Sequence, residues 1–226
     1  MSGARTTCWT MIRGAARGGE EERTQFSRLY APVIRAYLAA RWRSNPALIQ
    51  DLEDAVQETM LECFREGGAL SRASSRYRSG FRAFLFGIVR NVARRQETRA
   101  VRRREVQPTT GRDLQDEARH DPTPSKIFER EWARSLMRQA ALRQQKTASD
   151  EGALKRVELL RLRFGSDLPI REIARLWECE AAWLHHEYAK ARREFHRSLL
   201  EVLEENGVED PSQAEKECAR LIGLLS

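Results

Sequence analysis

Asp51-Leu52-Glu53-Asp54-Ala55-Val56-Gln57-Glu58-Thr59-Met60-Leu61-Glu62-Cys63-Phe64 is a short acidic amphipathic stretch. A basic one follows it, Phe81-Arg82-Ala83-Phe84-Leu85-Phe86-Gly87-Ile88-Val89-Arg90-Asn91-Val92-Ala93-Arg94. In the first, Leu52, Val56, Met60 and Cys63 recur at helical spacing and define a buried stripe, which leaves Asp51, Asp54, Glu58 and Glu62 on the other face. In the second, Phe81, Phe84, Leu85, Ile88 and Val92 mark the buried stripe, and Arg82, Asn91, Arg94, Arg95 and Arg99 are left for solvent or a ligand. From Arg72 to Arg104 the only acid is Glu97, and that density of arginine seeks phosphate. Either row alone also describes a solvated helix face. Two neighbouring helices with faces of opposite sign predict two different partners.

Residues 51–59 and 81–94, in that order and at that separation, resemble region 2 of the extracytoplasmic-function (ECF) sigma factors of bacterial RNA polymerase. The resemblance implies that the acidic helix, through Asp51, Asp54, Gln57, Glu58 and Glu62, docks on the clamp helices of the polymerase largest subunit. It implies that the basic helix and the loop before it bind and help melt the promoter −10 element. Residues 69–80 form that polar loop. Arg72, Arg76 and Arg78 would meet phosphates there, Tyr77 or Phe81 would stack on an unstacked base, and Arg82, Arg90, Asn91, Arg94 and Arg95 would continue the contact along the helix.

Outward from this pair, residues 1–22 read as a loosely held N-terminal arm with a weakly helical segment at 10–17. Phe26, Leu29, Tyr30, Val33, Ile34, Tyr37 and Leu38 keep helical spacing across Pro32, which predicts a helix pair or one kinked helix, with Trp42 in the core. The first domain then spans 23–106. Residues 107–125 hold Pro108, Pro122 and Pro124 among acids and show no apolar period, as expected of a linker.

A second domain, 126–204, opens with Phe128-Glu129-Arg130-Glu131-Trp132-Ala133, which resembles the start of region 4 in one branch of the same sigma factors. Phe128, Trp132, Leu136 and Ala140 share its apolar face. Leu154, Val157, Leu160 and Phe164 are the expected buried side of the next helix. Ile170, Ile173, Ala174 and Leu176, a turn at Glu178-Cys179-Glu180, and then Leu184, Tyr188, Ala191 and Phe195 give a helix-turn-helix pattern. The resemblance implies contact with a promoter −35 element through Trp183, His185, His186, Lys190, Arg193 and Arg197. Three departures weaken that carry-over: Glu178 stands where the family has glycine, Trp183 where it has a small hydroxyl residue, and Glu187 would repel phosphate. Residues 205–226 read as a C-terminal helix with Ala214, Cys218, Leu221 and Leu225 on one face, packed back or held by a regulator.

The expected fold class is therefore all-α: two small helical domains, a sigma region 2-like bundle and a region 4-like helix-turn-helix domain, joined by an acidic, proline-containing linker. A chain of 226 residues with net charge +7 suits a polyanionic partner. The expected partners are RNA polymerase core, through its clamp helices and flap, and promoter DNA, with an anti-sigma factor or other regulator as a further candidate. Cys8, Cys63, Cys179 and Cys218 have no metal-ligand spacing, so no metal, no cofactor and a reducing cytoplasm are expected. No apolar run is long enough to span or insert into a membrane. No phosphate-binding glycine loop, HExxH or nucleophile elbow occurs, which argues against an enzyme. The rival reading is a helix-turn-helix DNA-binding regulator that works without polymerase.

Overall fold

Helical apolar spacing yields helices throughout the computed structural model, which describes residues 8–73, 80–106, 123–208 and 210–225. Among them the order is α1 (Cys8–Ala16), α2 (Glu20–Trp42), α3 (Pro46–Gln50), α4 (Leu52–Phe64), a 3-10 turn (Leu70–Arg72), α5 (Gly80–Val106), α6 (Pro124–Thr147), α7 (Glu151–Gly165), α8 (Ile170–Leu176), α9 (Ala181–Glu205) and α10 (Pro211–Leu225). No strand occurs among the described residues. None of their helices is long and apolar enough to cross a membrane. The chain divides into two compact units, Met1–Ser135 with Leu224–Ser226, and Leu136–Gly223.

The first unit is built on α2, a single helix that runs through Pro32 and buries Phe26, Tyr30, Val33, Ile34, Tyr37, Leu38 and Trp42. α1 and α4 pack on it, and α5 packs on α4. Residues 8–16 are not a loose arm, because Met11, Ile12 and Ala15 are buried. Arg23 fixes them further: its Nε donates to the Ala15 carbonyl at 3.1 Å and its Nη2 to the Phe64 carbonyl at 2.9 Å. One guanidinium thus serves orphan C-terminal carbonyls of both α1 and α4.

The first turns of α6 belong to this unit as well. Trp132 stacks on Tyr30 with ring centroids 5.3 Å apart, and Phe128 meets Phe86 edge-on at 5.0 Å. Phe128 and Trp132 are buried as their spacing predicts. Residues 126–135, expected to open the second domain, group with the first unit. Two large aromatic rings release enough apolar area, about 1.5–3 kcal/mol each, to decide which core they join.

In the second unit Leu159, Ile170, Ile173, Ala174 and Leu184 form the core, with Leu162, Trp177 and Tyr188 packed against it. Asp150 caps α7, accepting from the Ala153 N–H at 2.7 Å. The expected inward side of α7 is partly wrong: Leu160 is buried as expected, but Leu154 and Phe164 are exposed and Leu159, which the spacing passed over, faces inward. Leu176 is exposed too, because α8 ends there and the chain turns away. α10 buries Ala214, Cys218 and Leu221, the face its spacing predicts, and His196 Nε2 lies 3.2 Å from Glu215 on it.

Candidate nucleic-acid interface

α4 turns Ala55, Val56, Thr59 and Cys63 inward. The Thr59 hydroxyl donates to the Ala55 carbonyl at 2.8 Å, so this polar group is satisfied within its own helix. Burial, with the neighbouring Glu62 carboxylate, pushes the Cys63 thiol up to about 12, which leaves it an inert core group. α5 buries Phe81, Leu85, Ile88, Val89, Val92, Ala93, Gln96 and Ala100.

With these stripes joined, the two charged faces meet one another. Arg103 Nη2 lies 3.2 Å from Asp51 Oδ2, Arg99 Nη1 lies 3.1 Å from Glu58 Oε2, and Arg95 Nη2 lies 3.5 Å from Glu58 and 3.4 Å from Glu62. Gln96 donates to Glu58 as well. The pairing is antiparallel, the higher α4 number against the lower α5 number. Two of the expected polymerase-facing residues, Asp54 and Gln57, are exposed, and Leu61, which spacing did not single out, stands beside them at 64% exposure. Glu53 is held by Arg35 through two contacts of 2.6 and 2.7 Å.

On α5, Arg90, Asn91 and Arg94 are exposed, continued by Arg102 a further two turns on. Arg94 lies near enough to Glu97 for its charge to help hold that carboxyl down. Arg82 is half-buried and salt-bridged to Glu129. Phe81, expected to stack on a base, is 1% exposed and lies among Trp9, Phe26, Tyr30, Phe84 and Trp132. It is core, and no base can reach it. Arg72 is exposed at the end of the 3-10 turn, whereas Arg76, Tyr77 and Arg78 lie outside the described residues, as does linker 107–122.

Glu97, the one acid in the arginine run, has a structural task. It accepts from Arg41 at 2.6 and 2.8 Å and from the Trp42 indole at 2.9 Å. Burial works against its carboxylate, but the hydrogen bonds from Arg41 and then Trp42 outweigh it and hold the carboxyl below its ordinary range.

In the second unit α8 closes with two turn-forming bonds: the Glu178 N–H reaches the Arg175 carbonyl at 3.2 Å and the Cys179 N–H the Ala174 carbonyl at 3.0 Å. This Schellman arrangement puts Glu178 at φ +50°, the left-handed region that favours glycine. On α9, Trp183, His185, His186, Arg193 and Arg197 are exposed, and Lys190 is bonded to Glu187 at 2.7 Å. Glu187, expected to repel phosphate, is turned away instead: Arg156 of α7 lies 3.3 Å from it and holds Glu194 at 2.8 Å. Arg171 and Arg175 of α8 and Arg192 of α9 are further exposed cations that the sequence reading passed over. Their signal was present, as basic residues off the apolar stripe.

No protein-family model matches the chain, and no curated protein shows significant similarity to it.

Proposed function

We propose that this chain is an ECF-type sigma factor, a promoter-specificity subunit that binds polymerase core, opens the −10 region and performs no covalent chemistry itself. Its two-domain plan would be a region 2-like bundle and a region 4-like helix-turn-helix domain, working in the cytoplasm. The observation that carries the reading is the juxtaposition of an exposed Asp54, Gln57 and Leu61 strip on α4 with an exposed Arg90, Asn91 and Arg94 strip on α5 of the same unit. Such neighbouring strips suit one protein partner and one polyanion.

The second unit supports it with a short helix, a Schellman turn and a long helix whose outer face carries His186, Arg193 and Arg197. The rival, a polymerase-independent regulator, is favoured by that same element, but it gives the exposed α4 strip no work. Run-off transcription with purified core polymerase on genomic DNA separates the two. Specific transcripts that depend on this protein, and are lost with Asp54→Arg while DNA binding is kept, are the expected result. Transcription and core binding unchanged by Asp54→Arg overturn it.

A further inference from the structure

Three arginines on one face of α5, Arg95, Arg99 and Arg103, are spaced four residues apart, so their guanidinium groups recur about every 6 Å over about 12 Å of helix. Each nucleotide of a strand carries one phosphate charge, so a row of three guanidinium groups can meet up to three phosphates, one apiece. In the free chain it meets the carboxylates of Asp51, Glu58 and Glu62 instead.

These contacts are of a different kind from two other ion pairs of the same unit. Arg35–Glu53 and Arg41–Glu97 close through two bonds each, at 2.6 and 2.7 Å and at 2.6 and 2.8 Å, the geometry of a charge-assisted fork. The α4–α5 contacts run from 3.1 to 3.5 Å, through a single terminal nitrogen in each case. Their arginine side chains are 44%, 55% and 62% exposed. Exposed single contacts of that length add little to stability and yield to a denser source of negative charge. The two helices are held by their buried apolar stripes, so the ladder can open while the helices stay packed.

We propose that Arg95, Arg99 and Arg103 form a latent nucleic-acid-binding row, occupied in the free chain by Asp51, Glu58 and Glu62 and exchanged onto the phosphodiester backbone of a single strand. It lies one step around the helix from Arg90, Asn91 and Arg94 and widens their contact. It rests on the reading of α5 as a nucleic-acid-binding helix but requires no polymerase. Gln96 acts on Glu58 as a positioning residue.

The test uses the full chain and a labelled single-stranded oligonucleotide of mixed sequence, titrated by fluorescence anisotropy over a salt series. Replacing both Glu58→Gln and Glu62→Gln is expected to tighten binding about threefold or more and to steepen the salt dependence by about 0.7 for each arginine that gains a phosphate. Asp51→Asn, which releases Arg103 alone, gives a smaller gain in the same direction. In an Arg65→Gln, Arg95→Gln, Arg99→Gln background, which also removes the Arg65 that Glu62 holds at 2.9 Å, the two glutamate replacements gain nothing, because the groups they would release are gone. No tightening, an equal gain in that background, or an equal gain from Asp54→Asn on the outer face overturns the proposal. Arg90→Gln with Arg94→Gln checks the reading beneath it: weakened binding there with no glutamate effect removes the latent row alone. Unchanged binding removes both.

Discussion

The first unit joins α4 to α5 with arginines that stay half in solvent, whereas the second joins α7 to α9 with an arginine that is more enclosed. Arg156 is 17% exposed, its Nε is 2.8 and 3.0 Å from the two oxygens of Glu194, and its Nη1 reaches Glu187. Arg99 is 55% exposed and holds one oxygen of Glu58. The charges are the same and the sequence spacing gives no warning of the difference. Enclosure decides whether an ion pair is part of the fold or part of a surface available to ligands.

The largest effects should expose that contrast. Arg156→Ala leaves Glu194 without the Nε–H shared by its two oxygens, and Glu187 without Nη1, in a partly enclosed site, and is expected to cost about 2–3 kcal/mol. Arg99→Gln should stay within about 0.5 kcal/mol. Denaturant unfolding of the two variants is the measurement. Equal losses would make the ladder as structural as the α7–α9 clamp and erase the distinction.

A middle case sharpens it. Arg41 and Glu97 are half-enclosed beside the buried Trp42, and Glu97→Gln keeps an acceptor but loses the charge, an expected cost of about 1–2 kcal/mol. The carboxyl of Glu97 titrates lower in the fold than in the unfolded chain, so its contribution is complete above the unfolded value of about 4.3 and is lost as pH falls through the folded value. Thermal melts at neutral pH and in the acid range should therefore show the wild type converging on Glu97→Gln as pH drops. A gap that stays constant with pH would mean the carboxylate charge is not what holds Arg41.

Much of this fold was legible. The stripes of α2, α5 and α10, the core position of Trp42 and the pattern from Ile170 through Phe195 follow from helical spacing, because burial and period are local properties. What spacing cannot supply is the identity of the neighbour. Phe128 and Trp132 read correctly as buried, yet their partners are Tyr30, Tyr37 and Phe86 rather than residues that follow them in the chain. Asp51, Glu58 and Glu62 read correctly as off the apolar stripe of α4, but off the stripe still left room for α5 to lie beside them. Phe81 shows the reverse error: an aromatic beside a basic loop suggested stacking on a base, and five aromatic rings of the first unit surround it instead. The α7 misreading came from a short helix in which Leu154 and Phe164 compete with Leu159 for a place beside Leu160 on the inward side.

An effect of opposite sign concerns an acid that makes no ion pair of either kind among the described residues. Glu178 is exposed and sits at φ +50° between α8 and α9, where the resembled family has glycine. The turn bonds at Glu178 and Cys179 demand that backbone, and a side chain there brings Cβ towards the following carbonyl. Replacement by glycine relieves the clash but adds freedom to the unfolded chain, so the two terms oppose. The relief is the larger at a left-handed position, and Glu178→Gly should stabilise by about 0.5–1 kcal/mol, read as a rise in the melting temperature. If Glu178→Gly lowers it and Glu178→Ala does not, the carboxylate itself holds the turn. The departure from glycine would then be a gain in charge rather than a tolerated strain.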